Sequence, residues 1–436
     1  MGVRNRQRRA AKKRARSRAG RAAPGPGWGP VGIDPVDLTR LQMGTAAGSA
    51  VDTGQDVAAT LAGCAETFLT AGLLPAREAA VLAAGMAEEA VVLAWEHGWQ
   101  PVDLAAVARR RLPAEHLPVV SALVRRITGR VPAARVDPRW SAQVDGLPDV
   151  PAVAERVDRL AGWAGSSEGM AACLAVIGLV RTLPVLPSTL PLPGRATGRG
   201  VGPRGVDGRV LAKIRALLAK AESTEFPEEA EALSTKAQTL MSRHSIDRLV
   251  VEADSADRPP IEGRRLWLDP PYVLAKAHLV DAVAGANRCR AVCSDRIGFV
   301  TVFGDVRDLD TVDLLTTSLL VQASRAMLAH GPQTDRHGRS RSRSFRQSFL
   351  LSYAARIAER LGDAAGGVVS AHAEPARLLP VLRSHDRRVA DAMAETYPEV
   401  VTRGASVSDG AGWVAGRAAA DGALFDIHER LAEPAG

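Results

Sequence analysis

Arginines set two apart beside aromatic residues are the best phosphate chemistry this chain offers. Residues 336–346 read RHGRSRSRSFR, and Arg339, Arg341, Arg343 and Arg346 lead into a run bearing Phe345, Phe349 and Tyr353. A guanidinium fork can bond two phosphate oxygens at once, and an aromatic face can stack on a base. The competing reading is a solvated loop followed by a helix. Positions 345, 349, 353 and 357 recur at helical spacing, so their side chains would belong to a core. A second basic segment is N-terminal. Residues 1–22 carry ten Lys and Arg, among them Arg8, Arg9, Lys12, Lys13 and Arg14, and no acid. Such a run repels itself, stays extended and attracts phosphate, whether of DNA or of RNA.

Other chemistries fit less well. Cys289 and Cys293 form a C-x-x-x-C pair with no second Cys/His pair at finger spacing, which argues against a zinc site. On a strand the two side chains would share a face, as small buried hydrophobes do. Nine histidines include no H-E-x-x-H, and His372 with Glu374 and His385 with Asp386 stand as isolated pairs. Gly410, Gly412 and Gly416 imitate a dinucleotide loop, but no strong strand precedes them and too little chain follows. A closely packed helix start explains them better. Gly404 to Ser408 lacks the final glycine of a nucleophile elbow. No cofactor and no metal is implied.

The 436 residues exceed one ordinary core, so two or three domains are expected. Hydrophobic residues make up 46 % but aromatic ones only 4 %, so the cores must be built from Ala, Leu and Val. That composition favours helices. The net charge is +8, and removing the ten tail charges leaves −2 for the rest. The basicity therefore belongs to the tail, and the body is not itself a broad nucleic-acid platform. Four cysteines give no disulfide framework, which suits a reducing compartment. Gly and Pro rather than an apolar segment follow the tail, and the apolar run 170–180 is too short to span a bilayer. The expectation is a cytoplasmic protein with no membrane partner.

The elements that must position these residues are mostly helical. Residues 1–35 read as a disordered basic tail, 36–185 as a helical domain, 186–208 as a Pro/Gly linker, 209–252 as a two-helix hairpin and 261–436 as a C-terminal α+β region. Residues 77–95 should form a buried helix stopped by Gly98, with Pro101 opening the next helix and Asp103 in its first turn. Trp95 and Trp99 flank that corner as core anchors. Residues 272–286 are helical in pattern. RCRAVC and FVTVFG alternate around SDRIG, which marks a β-hairpin. Helical spacing returns over 308–328 and 344–361. The fold class is therefore α+β, predominantly α-helical and multidomain.

Within the hairpin, Val210, Leu211, Ile214, Leu217, Leu218 and Ala221 share one face. Residues 223–227 form the turn. Pro227, Glu228, Glu229 and Glu231 suit a helix start, and Ala230, Leu233, Ala237, Leu240 and Met241 form the second stripe. Arg243 and His244 are placed at the negative end of that helix. Lys236, Gln238 and His244 could form a polar site across two turns, or simply a solvated face. The run K-I-R-A-L-L-A-K-A-E-S followed by E-A-x-x-L-x-x-K-A-Q-x-L-M-x-x-H-x-I resembles the bacterial and phage family catalogued as domain of unknown function 2786. That family has no established reaction, so the resemblance implies architecture and little chemistry. Three glutamates at the start of the second helix would repel phosphate, which argues against a major-groove reading helix.

The expected role is a non-enzymatic, nucleic-acid-associated accessory or regulatory protein, held through the tail and the arginine loop. Two other classes stay open. One is an enzyme with its site in the C-terminal region around His278, Cys289, Cys293 and the loop. The other is a helical adaptor that docks a protein partner.

Overall fold

The computed structural model describes residues 34–54, 56–196, 216–217, 227–253, 259–372, 375–402 and 404–423. Most of the expected tail, including Arg8, Arg9, Lys12, Lys13 and Arg14, lies outside the described residues, as does nearly all of the first hairpin helix. In chain order the helices are α1 (Pro35–Asp52), α2 (Val57–Thr70), α3 (Ala76–Glu96), α4 (Pro101–Arg111), α5 (His116–Gly129), α6 (Pro138–Asp145), α7 (Pro151–Asp158), α8 (Leu160–Trp163), α9 (Ser167–Arg181) and α10 (Pro227–Ala253). Strand β1 (Glu262–Trp267), α11 (Val273–Ala286), β2 (Arg290–Ser294) and β3 (Phe299–Gly304) follow. The last helices are α12 (Val306–Ala329), α13 (Ser342–Ser370), α14 (Pro375–Thr396) and α15 (Gly410–Asp421). This is a predominantly helical α+β fold, and contacts divide it into two compact units.

The first unit takes in residues up to 87 and 159–181. Its described core is α9 against α1 and α2, with Met43, Ala47, Leu61, Met170 and Leu174 all fully buried. Small residues let these helices approach closely. A side chain on Gly178 would collide with the Ala47 carbonyl. Asp34 starts α1 by accepting from the Val36 amide at 2.9 Å, which satisfies one of the donors that a helix start leaves open.

The second unit takes in residues 88–158 and 182 onward. Its helical segment groups with the sheet rather than with the helices before it, because buried polar pairs join the two. Arg265 on β1 bonds Asp103 at 2.5 Å, and Arg110 donates to the Leu268 carbonyl at 2.9 Å. Gly98 (φ +81°) does end the helix before Pro101. Trp95 meets Trp140 edge-on at 5.3 Å, and Trp99 donates to the Pro184 carbonyl at 2.9 Å. The described first part of the expected linker is packed. Leu186 and Leu190 are buried, and Pro187 accepts from Arg265 at 2.6 Å. Proline there shapes an ordered strap and does not mark a loose spacer.

The sheet is antiparallel, ordered β1-β3-β2. The expected hairpin is β2–β3, with Cys293 opposite Val300. β1 was not legible: EGRRLW shows no alternation, because its arginines are buried or paired by acids distant in sequence. α11 and α12 close over the sheet and α13 packs on α11, with Val280, Val283, Leu315, Leu319, Phe349 and Ile357 at full or nearly full burial. α15 packs on α13. Side chains on Gly412 and Gly416 would strike the Phe345 and Phe349 carbonyls. Those glycines are thus a packing device, as their sequence context implies.

Candidate functional site

Residues 331–341 join α12 to α13 and carry Arg336, Arg339 and Arg341, while Arg343 and Arg346 lie in the opening turns of α13. Asp335 builds the turn, its carboxylate accepting from the His337 and Arg339 amides at 2.8 and 2.9 Å. Gly338 takes φ +75° at the tip. A short side-chain acceptor bonded to amides two and four residues on is what ties such a loop together. Arg336, Arg339 and Arg343 are exposed as a result, with Arg336 donating to His337 at 3.1 Å.

Of the other two arginines, Arg341 is paired and Arg346 is drawn partly into the fold. Arg341 pairs with Asp409 at 2.6 Å, and Asp409 also accepts from the Gly412 amide at 2.9 Å to start α15. The Arg341 guanidinium holds the Asp409 carboxyl below its usual range. Arg346 is half-buried, with its Nε enclosed and unbonded. Phe345, Phe349 and Tyr353 are all buried, so they are core residues and cannot stack on bases. The loop therefore retains charge but no aromatic platform.

Arg343 also lines a cavity of about 360 Å³ with Gln347, Tyr272 and the first turn of α11. Tyr272 stands at the N-cap of α11 with φ +69° and makes no side-chain cap bond. Among the described residues the opening amides of that helix have no side-chain acceptor at its positive end, a setting that favours an anion. Arg343 adds a full charge beside it. Nothing in the sequence pattern signalled this notch, because Tyr is not a cap residue and Arg343 lies about 70 positions further on.

Lys236, Gln238 and His244 do not come together. Lys236 is exposed, Gln238 is wholly buried with both amide atoms unbonded, and His244 is half-buried. Arg243 and His244 are also not at a helix end. α10 continues to Ala253, because Ser245, Ile246 and Leu249 extend its buried stripe.

Cys289 is buried against Gly304, and its thiol donates to the Asn287 carbonyl at 3.4 Å. Burial, with the nearby Asp308 carboxylate, pushes the thiol well above its ordinary pKa. A thiolate is the reactive form, so this sulfur is an inert packing group. Cys293 is half-buried, and His278 has its Nε2 enclosed without a partner. Among the described residues no group of three or more His, Cys, Asp and Glu could hold a metal ion.

What the sequence hid entirely is a polar lock around Asp308. Ser245 donates to Asp308 at 2.8 Å and Arg248 at 3.0 Å, and Arg288 stands 3.8 Å away. Asp305 caps α12 and pairs with Arg307 at 3.2 Å and Arg248 at 3.5 Å. His385 of α14 is buried nearby with neither ring nitrogen bonded. The carboxylates are neutralised by arginines, and the lock joins α10, α12 and the turn before β2.

Residues 209–248 match the model of a family described as protein of unknown function (DUF2786). The chain matches no curated protein and no solved structure. Among the described residues no helix is long and apolar enough to cross a membrane.

Proposed function

We propose that the protein is a non-enzymatic accessory protein that associates with the phosphate backbone of DNA or RNA in the bacterial cytoplasm. The observation that carries this reading is the exposed pair Arg339 and Arg343, with Arg343 beside the uncapped start of α11. The basic tail supplies most of the charge. With Phe345, Phe349 and Tyr353 buried, the loop offers no base-stacking platform among the described residues, and binding should show little sequence preference. The enzyme alternative loses its best nucleophile, since Cys289 is held as a neutral thiol.

The test is a salt titration on a generic duplex. If half of the ten tail charges meet phosphates, the tail alone contributes a log–log slope of about −4.5, which is by itself a roughly 500-fold fall in affinity between about 50 and 200 mM salt. Removing residues 1–22 should leave about two contacts, a slope near −1.8 and a fall of roughly 12-fold. Arg339→Gln with Arg343→Gln should then abolish what remains. Binding by the tail-less protein that ignores both substitutions overturns the reading.

A further inference from the structure

Strand β1 is an edge of the sheet, and residues Glu262 through Leu268 line a cleft of about 600 Å³. The Leu268 amide donates to the Gly298 carbonyl at 2.9 Å, extending the β1–β3 register by one pair. Bonded pairs alternate along an antiparallel ladder. Leu266, Arg264 and Glu262 therefore bond β3, and the backbone groups of Gly263, Arg265 and Trp267 point outward. Among the described residues those outward groups have no backbone partner.

The cleft has two walls, α4 and α6 on one side and α12 on the other. Val102, Leu147 and Leu320 contribute apolar surface. Thr316 is 2 % exposed and its hydroxyl is unbonded. The volume lies within the usual range of ligand sites, and the open edge repeats at the spacing of a strand.

An edge is often protected by charges that project from it. Here the strand's arginines are neutralised by partners. Arg265 is paired with Asp103, and Arg264 with Asp310 at 2.8 Å. Arg139 is shared between Asp137 and Glu262. Exposed Arg109 also lines the cleft and has no carboxylate partner among the described residues.

We propose that this cleft binds an extended peptide segment of a partner protein, added as a strand beside β1, with an acidic residue of that segment facing Arg109. Backbone bonds to Gly263, Arg265 and Trp267 would give affinity; alternate apolar side chains would meet α12, and the residues between them would face α4 and α6, where Arg109 stands. A second copy of this chain fits less well, because the β1 it would offer, EGRRLW, carries two arginines against one glutamate where an acidic segment is called for. Peptide binding in this cleft is independent of phosphate binding by the arginine loop.

The probe is a fluorescent peptide of about eight residues alternating valine and glutamate, followed by anisotropy on the full chain. Methylating alternate backbone nitrogens should weaken binding about tenfold or more. Ala142→Trp fills the cleft from an exposed position and should abolish binding. Arg109→Glu should reverse the preference between this peptide and a valine/lysine one. Arg339→Gln with Arg343→Gln should change nothing. Absence of binding, equal binding of the methylated peptide, or indifference to Ala142→Trp overturns the proposal. So does a concentration-dependent dimer in sedimentation that Ala142→Trp removes, since the edge would then belong to a second copy.

Discussion

Arg265 and Asp103 lie 162 residues apart in sequence and bond at 2.5 Å with their side chains 1 % and 0 % exposed. Trp267 donates to the second carboxylate oxygen at 2.8 Å, and Gly98 accepts from Arg265 at 2.7 Å. One carboxylate thus ties the start of α4 to the edge of the sheet. It also closes the capping box at Gln100, whose amide it accepts at 3.0 Å.

Removing that carboxylate should be costly, because a buried guanidinium left without its partner keeps its desolvation penalty. Asp103→Ala is expected to lose about 3–5 kcal/mol in urea unfolding. Asp103→Leu combined with Arg265→Met should show a favourable coupling of about 1–3 kcal/mol. Strict additivity of the two changes would mean that the pair carries no mutual energy.

The α13–α15 contact offers a test of opposite signs. Gly416→Ala would drive a methyl into the Phe349 carbonyl and the Ser352 hydroxyl. Backbone on one side cannot yield, so a loss of about 1–3 kcal/mol is expected. Gly410→Ala has open space within 4 Å and a helical first position, so it should be neutral or gain about 0.4–1 kcal/mol. Thermal melts of the two variants should move apart.

Stability should fall as the solution is acidified below the ordinary histidine range. Burial lowers the pKa of His385, with Asp308 opposing it and Arg288 and Arg388 reinforcing it. Burial likewise lowers His116, opposed by Glu115. Both folded values lie below the unfolded one, so the unfolded chain binds more protons between them. The contribution is full above a pH of about 6.5 and is lost as pH falls toward the folded values. Melting temperature followed from pH 8 to 5 (roughly the window in which histidine titrates) should drop, and less so in His385→Leu with His116→Leu. An unchanged slope in the double variant would move the effect to the carboxylates.

The carboxylates have their own window at lower pH. Arg417 and Arg356 hold exposed Glu359 down at about 2. Its pairing is complete above the usual carboxylate range and is lost as pH falls through about 2. A carbon-detected titration should find Glu359 ionised where other glutamates are protonated, and Arg417→Gln should raise its midpoint.

Much of the architecture was fixed by local rules that a sequence states openly. Gly98 before Pro101, the alternation of RCRAVC and FVTVFG, and the recurrence of Phe345, Phe349, Tyr353 and Ile357 each depend on neighbours within a few positions. Steric limits on φ, the pleat and the helical turn act at that range, so the helix stop, the hairpin and the core stripe could be read directly. The buried aromatics even answered the question their arginines raised, leaving the loop with charge alone. Tertiary structure decided the rest. Asp103, Arg265, Asp308 and His385 look like ordinary surface residues, since nothing local marks a charge that will be buried. Their roles come from desolvation, which exists only when elements distant in sequence close around them and supply a partner. For the same reason β1 went unread: its arginines are held by Asp103, Asp310 and Asp313, and its open edge follows from strand order, which no local pattern encodes.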